Sequence, residues 1–257
     1  MPYADLGEVR LYYESHGEGP AVVFAHGRGG NHLNWWQQIP AFSRSFRCIS
    51  FDHRGFGLSQ CPPGARHKKA FADDLRALLD LLGVKRAYLV GQSMGGWTCL
   101  SFALAHPKRC VALVLANTTA GISDPAITDV LAQRGDDAGQ TLTGRHFQAN
   151  KAEEAFLLRQ LRGLNEALNA PLPESRLAFI TSASGPNAVA LAEMRIPTLV
   201  IGAMQDALFP PEVMRVVARL IPGARLLLFE GAGHFVHYEL PQAFNAAAID
   251  FFRSQAI

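Results

Sequence analysis

The 257-residue chain is predicted to be an α/β protein, a parallel sheet covered by helices on both faces, and three observations predict it. Strand-length apolar runs and helix-length patterns alternate over much of the chain. The central runs, AYLV at 87–90 and VALVL at 111–115, are unbroken by charged residues. One long stretch, from about 121 to 193, carries helical patterns and no clear strand. Strands buried on both faces read as continuous apolar runs, and β and α units in sequence require crossover helices and hence a parallel sheet.

Taken in order, the N-terminal MPYADLGEVRLYYESHG alternates like a strand and lacks a basic segment followed by an apolar one, so no secretory signal is visible and a cytoplasmic location is expected. Strands are predicted at 9–14 and 21–24, separated by the turn HGEGP, and at 46–51 before Asp52. A helix from about Lys69 to Leu82 follows, its solvated start carrying Arg66, Lys68 and Lys69. After the strand at 87–90, a helix beyond Ser93 ends near His106 and Pro107, and 111–115 is again a strand. The helical stretch includes a pattern at 152–168, with turn chemistry at Pro171, Pro173 and Gly185. Alternation then returns with a strand at 198–201, a helix at 211–220, a strand at 225–229 and a last helix at 241–253.

The 49% apolar content is ample for a sizeable core, and a net charge of +2 with scattered basic residues leaves no nucleic-acid footprint. Cys48, Cys61, Cys99 and Cys110 show no CxxC spacing, and three of them lie in apolar patterns where a reduced thiol behaves as a small hydrophobe.

The segment GQSMGG at 91–96 joins an apolar strand to a helical pattern. A serine between glycines at a sharp strand-to-helix turn is held clear of the backbone with its hydroxyl exposed, as an attacking nucleophile needs. Ser93 is therefore the candidate nucleophile, with Gly91 and Gly95 relieving the crowding of the turn and Gly96 letting the helix approach the sheet. The uncharged run around it is long enough to span a bilayer, but Gln92, Ser93 and three glycines near its middle suit a buried strand and helix instead.

A serine hydroxyl needs a base, usually a histidine, itself oriented by a carboxylate. The strand at 198–201 runs into GAMQDALFPPE, which puts Asp206 beyond the carboxyl end of a strand, where ligand chemistry gathers in parallel sheets. The strand at 225–229 runs into EGAGHFVHYELP, which puts His234 at the same edge in a glycine-rich loop. Serine, aspartate, histidine is the chain order of hydrolases built on a nucleophile elbow. The strand at 21–24 runs into HGRGG, where a backbone amide can be aimed at a developing oxyanion, the second coming from the residue after the nucleophile. Those amides are assigned to Arg28 and Met94, with Gly27 as the alternative to Arg28. Asp206 also reads as a helix cap ahead of Pro210 and Pro211, Asp124 is a rival acid, and His237 lies outside the glycine loop and reads as a helical neighbour. No HExxH or paired-cysteine spacing points to a metal.

Five motifs in order, HGRGG at 26–30, DHRGFGLS at 52–59, GQSMGG at 91–96, the Asp206 loop and GAGH at 231–234, make the chain resemble the α/β-hydrolase fold family over nearly its whole length. The resemblance implies an eight-stranded, mostly parallel sheet, a core at 1–120 and 191–257 with a helical cap inserted at 121–190, no cofactor, and hydrolysis through an acyl-enzyme on Ser93. It also implies that DHRGFGLS shapes a loop near the site without being catalytic, and that His26 supports the oxyanion loop without moving a proton.

A serine nucleophile limits the likeness to haloalkane dehalogenases and epoxide hydrolases, which carry aspartate there, to the fold, and HGRGG lacks the proline of the epoxide enzymes. Trp97 stands where the family's cyclohexadiene-carboxylate synthases carry a substrate-engaging arginine, and Phe235 where its carbon–carbon hydrolases typically carry tryptophan. The expected reaction is hydrolysis of a carboxylic ester or lactone, the alternatives being carbon–carbon hydrolysis or a small-molecule receptor of the same fold. Pockets are mostly apolar with a few polar anchors, and the expected lining is Gly27, Trp35, Trp97, Phe147, Phe209 and Phe235, with Trp36 and Phe156 as further candidates. Arg28 is placed to read a substrate carboxylate instead. The expected partner is a small ester or lactone, with no nucleic acid or membrane, and the chain a monomer or homodimer.

Overall fold

The structure, a computed structural model, describes residues 2–65, 70–133, 142–169 and 185–255. Its strands are β1 (Tyr3–Asp5), β2 (Arg10–His16), β3 (Ala21–Ala25), β4 (Arg47–Phe51), β5 (Ala87–Gln92), β6 (Cys110–Ala116), β7 (Thr198–Ala203) and β8 (Arg225–Phe229). They form one eight-stranded sheet in the order β1-β2-β4-β3-β5-β6-β7-β8. The β1–β2 and β2–β4 pairs are antiparallel, and every pair from β4 to β8 is parallel. Between the strands come α1 (Ile39–Phe42), α2 (Phe71–Leu81), α3 (Met94–Ala105), α4 (Pro125–Ala132), α5 (Arg145–Asn150), α6 (Ala152–Leu168), α7 (Ala188–Ala192), α8 (Pro211–Leu220), α9 (Val236–Glu239) and α10 (Pro241–Arg253).

Period-two alternation explains why the central strands are apolar throughout. Along β3, Val22 and Phe24 join a cluster with Phe42 of α1 and Phe244, Phe251 and Phe252 of α10, while Val23 and Ala25 face Leu75 and Leu78 of α2 and Leu100 of α3. Both faces of the sheet are thus covered, and neither can carry a polar residue cheaply.

Helix ends follow their local chemistry. Pro125, Pro211 and Pro241 each open a helix at the first turn, where the missing N–H is not needed. After α2, Gly83 turns at φ 66° and the Val84 N–H closes on the Leu79 carbonyl at 2.8 Å. Asp124 caps α4 by accepting from the Ala126 N–H at 2.9 Å, so this rival acid is occupied as a cap.

The predicted elements recur with small shifts. The N-terminal alternation is two strands joined through Gly7 at φ 85°, so β1 was hidden in what reads as one strand. The helix start expected at Lys69 lies outside the described residues with the basic patch at 66–69, as do Pro171 and Pro173; α2 is described from Phe71. All four cysteines are free. Among the described residues no helix is long and apolar enough to cross a membrane, and no group of His, Cys, Asp and Glu is placed to hold a metal ion.

Because β3 to β8 are parallel, the loops that follow them leave the sheet at one edge. Gly27 and Arg28 follow β3, Ser93 follows β5, Asn117 follows β6, Asp206 follows β7 and His234 follows β8.

Candidate active site

Ser93 sits between β5 and α3 at φ 52° and ψ −119°, a backbone region that side-chain-bearing residues seldom occupy. Neighbours hold it there. Its N–H donates to the Ala116 carbonyl at 3.0 Å, and its own carbonyl accepts from the Thr118 hydroxyl at 2.6 Å and the Gly96 N–H at 3.0 Å. A Cβ on Gly95 would run into the Ala25 carbonyl, which is why the turn needs glycine on the helix side. The strain leaves Ser93 at the N-terminus of α3, where the helix dipole favours negative charge.

Asp206 and His234 meet as a buried pair, 2% and 3% exposed. The His234 Nδ1 donates to Asp206 Oδ2 at 3.0 Å; since a carboxylate only accepts, Nδ1 carries a proton, and in the neutral ring the lone pair is left to Nε2. Asn117 donates to the same oxygen at 2.8 Å, and the Leu208 and Phe209 N–H groups donate to Oδ1 at 2.8 and 3.0 Å. Burial alone would raise the Asp206 pKa. The hydrogen bonds from His234, Phe209 and Asn117, and the positive charge of the His234 ring whenever it takes up a proton, overcome that and hold it below the usual value.

The histidine loop is itself pinned. The His234 N–H donates to the Leu142 carbonyl at 2.6 Å, and a Cβ on Gly233 would lie 2.5 Å from that oxygen. Glu239 of α9 accepts from the N–H groups of Gly144, Gly233 and Phe235 at 2.7, 3.0 and 3.2 Å. Burial pushes the Glu239 pKa up against the pull of these donors.

The loop after β3 is braced from below. His26 Nδ1 donates to the Gly27 carbonyl at 2.8 Å, and its Nε2 accepts the His53 N–H at 3.0 Å. Asp52 accepts from the His32 N–H at 2.6 Å, the His32 Nδ1 at 2.8 Å and the Leu58 N–H at 2.8 Å, which folds the segment at 52–59 beneath that loop. The Gly27 carbonyl also accepts from the Gly30 N–H at 3.0 Å.

A cavity of about 420 Å³ opens over Ser93 and His234. Of the candidates read from sequence, Gly27, Arg28, Met94, Trp97, Phe209 and Phe235 line it. The expectation for Trp35 and Phe147 is corrected. Trp35 is fully buried between the rings of Phe24 and His237, at 5.2 and 4.8 Å, as part of the core. Phe147 packs behind Tyr238 at 6.2 Å, and Tyr238 takes the wall. Trp36 and Phe156 are largely exposed and do not line the cavity either. Trp35 and Phe147 show that an aromatic packs where apolar area is offered, and its place in the sequence does not say on which side.

Several lining residues were not anticipated. Gln92 sits inside GQSMGG and reads as strand, and His237 faces the cavity besides being a helical neighbour. Leu158, Leu161, Arg162 and Asn165 of α6 line the opposite wall at i, i+3, i+4 and i+7, a helical face that periodicity alone could have marked. Asn165 accepts from the Asn31 side chain at 2.6 Å, and Asn169 accepts from the Gly57 N–H at 2.8 Å, so α6 is fastened to two core loops.

The family model described as alpha/beta hydrolase fold matches residues 20–153 and 138–241. A RutD protein of Azorhizobium caulinodans, named for carbamate hydrolysis, is 30% identical over 98% of this chain and 98% of its own. The 2-hydroxy-6-oxo-6-phenylhexa-2,4-dienoate hydrolase of Comamonas testosteroni is 30% identical over 98% of this chain and 94% of its own. Among solved structures, a thermophilic esterase of Thermogutta terrifontis superposes with a TM-score of 0.80 at 30% identity, covering 99% of this chain and 97% of that one. The enol-lactonase of Burkholderia xenovorans LB400 gives 0.79 at 25% identity, covering 98% and 100%.

Proposed function

Because the chain belongs to the α/β-hydrolase family, we propose that it hydrolyses a small carboxylic ester or lactone through an acyl-enzyme on Ser93. The observation that carries this reading is Ser93, held at φ 52°, in one cavity with the Asp206-bonded ring of His234.

In this mechanism His234 Nε2 takes the proton of Ser93 as the oxygen attacks the carbonyl carbon. The backbone N–H groups of Arg28 and Met94 hold the oxyanion, and each such donor is worth roughly a hundredfold to a thousandfold in rate. The tetrahedral intermediate collapses as His234 returns the proton to the leaving alkoxide. Water then gives its proton to His234 and attacks the acyl carbon, and the second tetrahedral intermediate collapses as His234 returns that proton to the Ser93 oxygen, which releases the acid. Asp206 stabilises the imidazolium of each step.

The reading of the substrate rests on the walls. A cavity of about 420 Å³ suits a small molecule, not a polymer. Trp97, Leu158, Leu161, Phe209 and Phe235 offer an apolar seat for the acyl part, while Arg28 and Arg162 offer cationic groups to a carboxylate on the substrate.

Initial rates on aryl esters of increasing acyl length and on a small lactone, wild type against Ser93→Ala, test the proposal. The expected result is turnover that falls by about a millionfold in the variant. No turnover of esters or lactones, with cleavage of a ring-fission dienoate, would move the reading to carbon–carbon hydrolysis. Binding without turnover of any of them would move it to a receptor.

A further inference from the structure

Gln92, the residue before Ser93, is 1% exposed and meets His234 twice. Its Nε2 lies 3.1 Å from the His234 main-chain carbonyl and 3.2 Å from His234 Nε2. A carbonyl only accepts, so it fixes the nitrogen end of the Gln92 amide toward His234. The Asp206 bond fixes the proton of His234 on Nδ1, so Nε2 presents a lone pair and accepts from that same amide. The amide cannot turn round to offer its oxygen to Nε2 without setting that oxygen against the His234 carbonyl. On its other side, the Gln92 oxygen is packed against Gly27, where a Cβ would collide with it.

We propose that Gln92 is a positioning residue that holds the His234 imidazole in its neutral, base-ready form by donating to Nε2. The inference rests on the serine-hydrolase reading above and deepens it. A donor aimed at Nε2 can bond the neutral ring and is set against the N–H of the protonated one, so it opposes protonation. It also occupies the lone pair that Ser93 must use, so Gln92 has to yield Nε2 when the Ser93 proton moves while keeping its bond to the carbonyl. Other ionisable groups around His234 are Asp206 on Nδ1, His237 and Glu239 on α9, and Arg28, Arg162 and Glu166 in the cavity wall. None of these is altered by changing Gln92.

The test is the rate at which a fluorophosphonate labels Ser93, followed against pH in the full-length protein, with Ser93→Ala as the unlabelled control. Gln92→Met keeps the length and loses the donor; Gln92→Glu puts a carboxylate where the donor was. One net hydrogen bond of ordinary strength predicts that the acid limb of the labelling profile moves up by roughly half to one pH unit in Gln92→Met. It should move further in Gln92→Glu, where the charge favours the imidazolium. If either variant fails to fold by circular dichroism, the other still reads the limb. A labelled wild type whose acid limb stays in place in the folded variants overturns the role of Gln92 and leaves the serine hydrolase standing. A wild type that is not labelled at all overturns both.

Discussion

Asn117 donates its side-chain amide to Asp206 at 2.8 Å from a backbone held at φ 45°. Asparagine is among the few side chains that tolerate that region. It follows β6 directly, so the strand that lies between the serine and aspartate strands also supplies a donor to the acid. Asn117→Gly keeps the backbone and removes the amide. Hydrogen bonds to charged groups contribute about 1.5–3 kcal/mol, so the kcat/KM of the variant should fall roughly 10- to 100-fold. An unchanged kcat/KM would show that the two backbone donors and His234 suffice for Asp206.

Arg54 and Asp74 form a largely buried two-point pair, Nε to Oδ2 at 2.6 Å and Nη2 to Oδ1 at 2.5 Å, that ties the loop after β4 to α2. Removing one partner strands the other charge in the interior, which costs about 3–5 kcal/mol, whereas replacing both with apolar residues of like size is often neutral. Asp74→Ala should therefore lower the urea midpoint sharply, and Arg54→Met with Asp74→Leu should recover most of it. Equal losses in the single and double variants would mean that packing, and not the stranded charge, sets the cost.

His237 gives the protein an acid-side weakness. Burial, and then the nearby His234, push its pKa down to about 3 from 6.5, and its Nδ1 finds no hydrogen-bond partner among the described residues. Between those values the unfolded chain binds the proton and the folded one does not, so the stability is whole above 6.5 and is lost progressively as the pH falls toward 3. His237→Phe keeps a ring against Trp35 and removes the proton site. Its melting temperature should drop less than that of wild type between neutral pH and about pH 5. Parallel drops would assign the acid sensitivity to other groups.

The strands were legible because burial on two faces leaves no room for polar residues, and the chemistry of 91–96 and 231–234 was legible because only glycine survives where Gly95 meets Ala25 and Gly233 meets Leu142. The acid was harder to read, since Asp206 and Asp124 both precede a proline and a helix; what separates them is the arrival of His234, which only folding supplies. Trp35 and Phe147 failed as pocket residues for the same reason: an aromatic carries no mark of the side on which it is buried. Asn117 and Gln92 went unread because their roles lie in contacts with Asp206 and His234, 89 and 142 residues away along the chain.

Glu239 joins the histidine loop to the helical stretch between β6 and β7. Its carboxylate takes the N–H of Gly144 together with those of Gly233 and Phe235, while Leu142 accepts from His234 and Arg145 donates to Gln205, next to Asp206. The segment at 142–145 is thereby laced to both loops that carry the acid and the base. Glu239→Gln offers one acceptor where the carboxylate offered two, and whichever end carries the NH2 faces a backbone N–H. A buried donor left in that way costs about 1–3 kcal/mol, or roughly 2–12 °C in melting temperature for a chain of this size. Because the strain falls on the loop that aims His234, kcat/KM should fall in folded Glu239→Gln at temperatures well below its melting point. If it melts earlier yet turns over substrate as wild type does, the carboxylate holds the fold together without aiming His234.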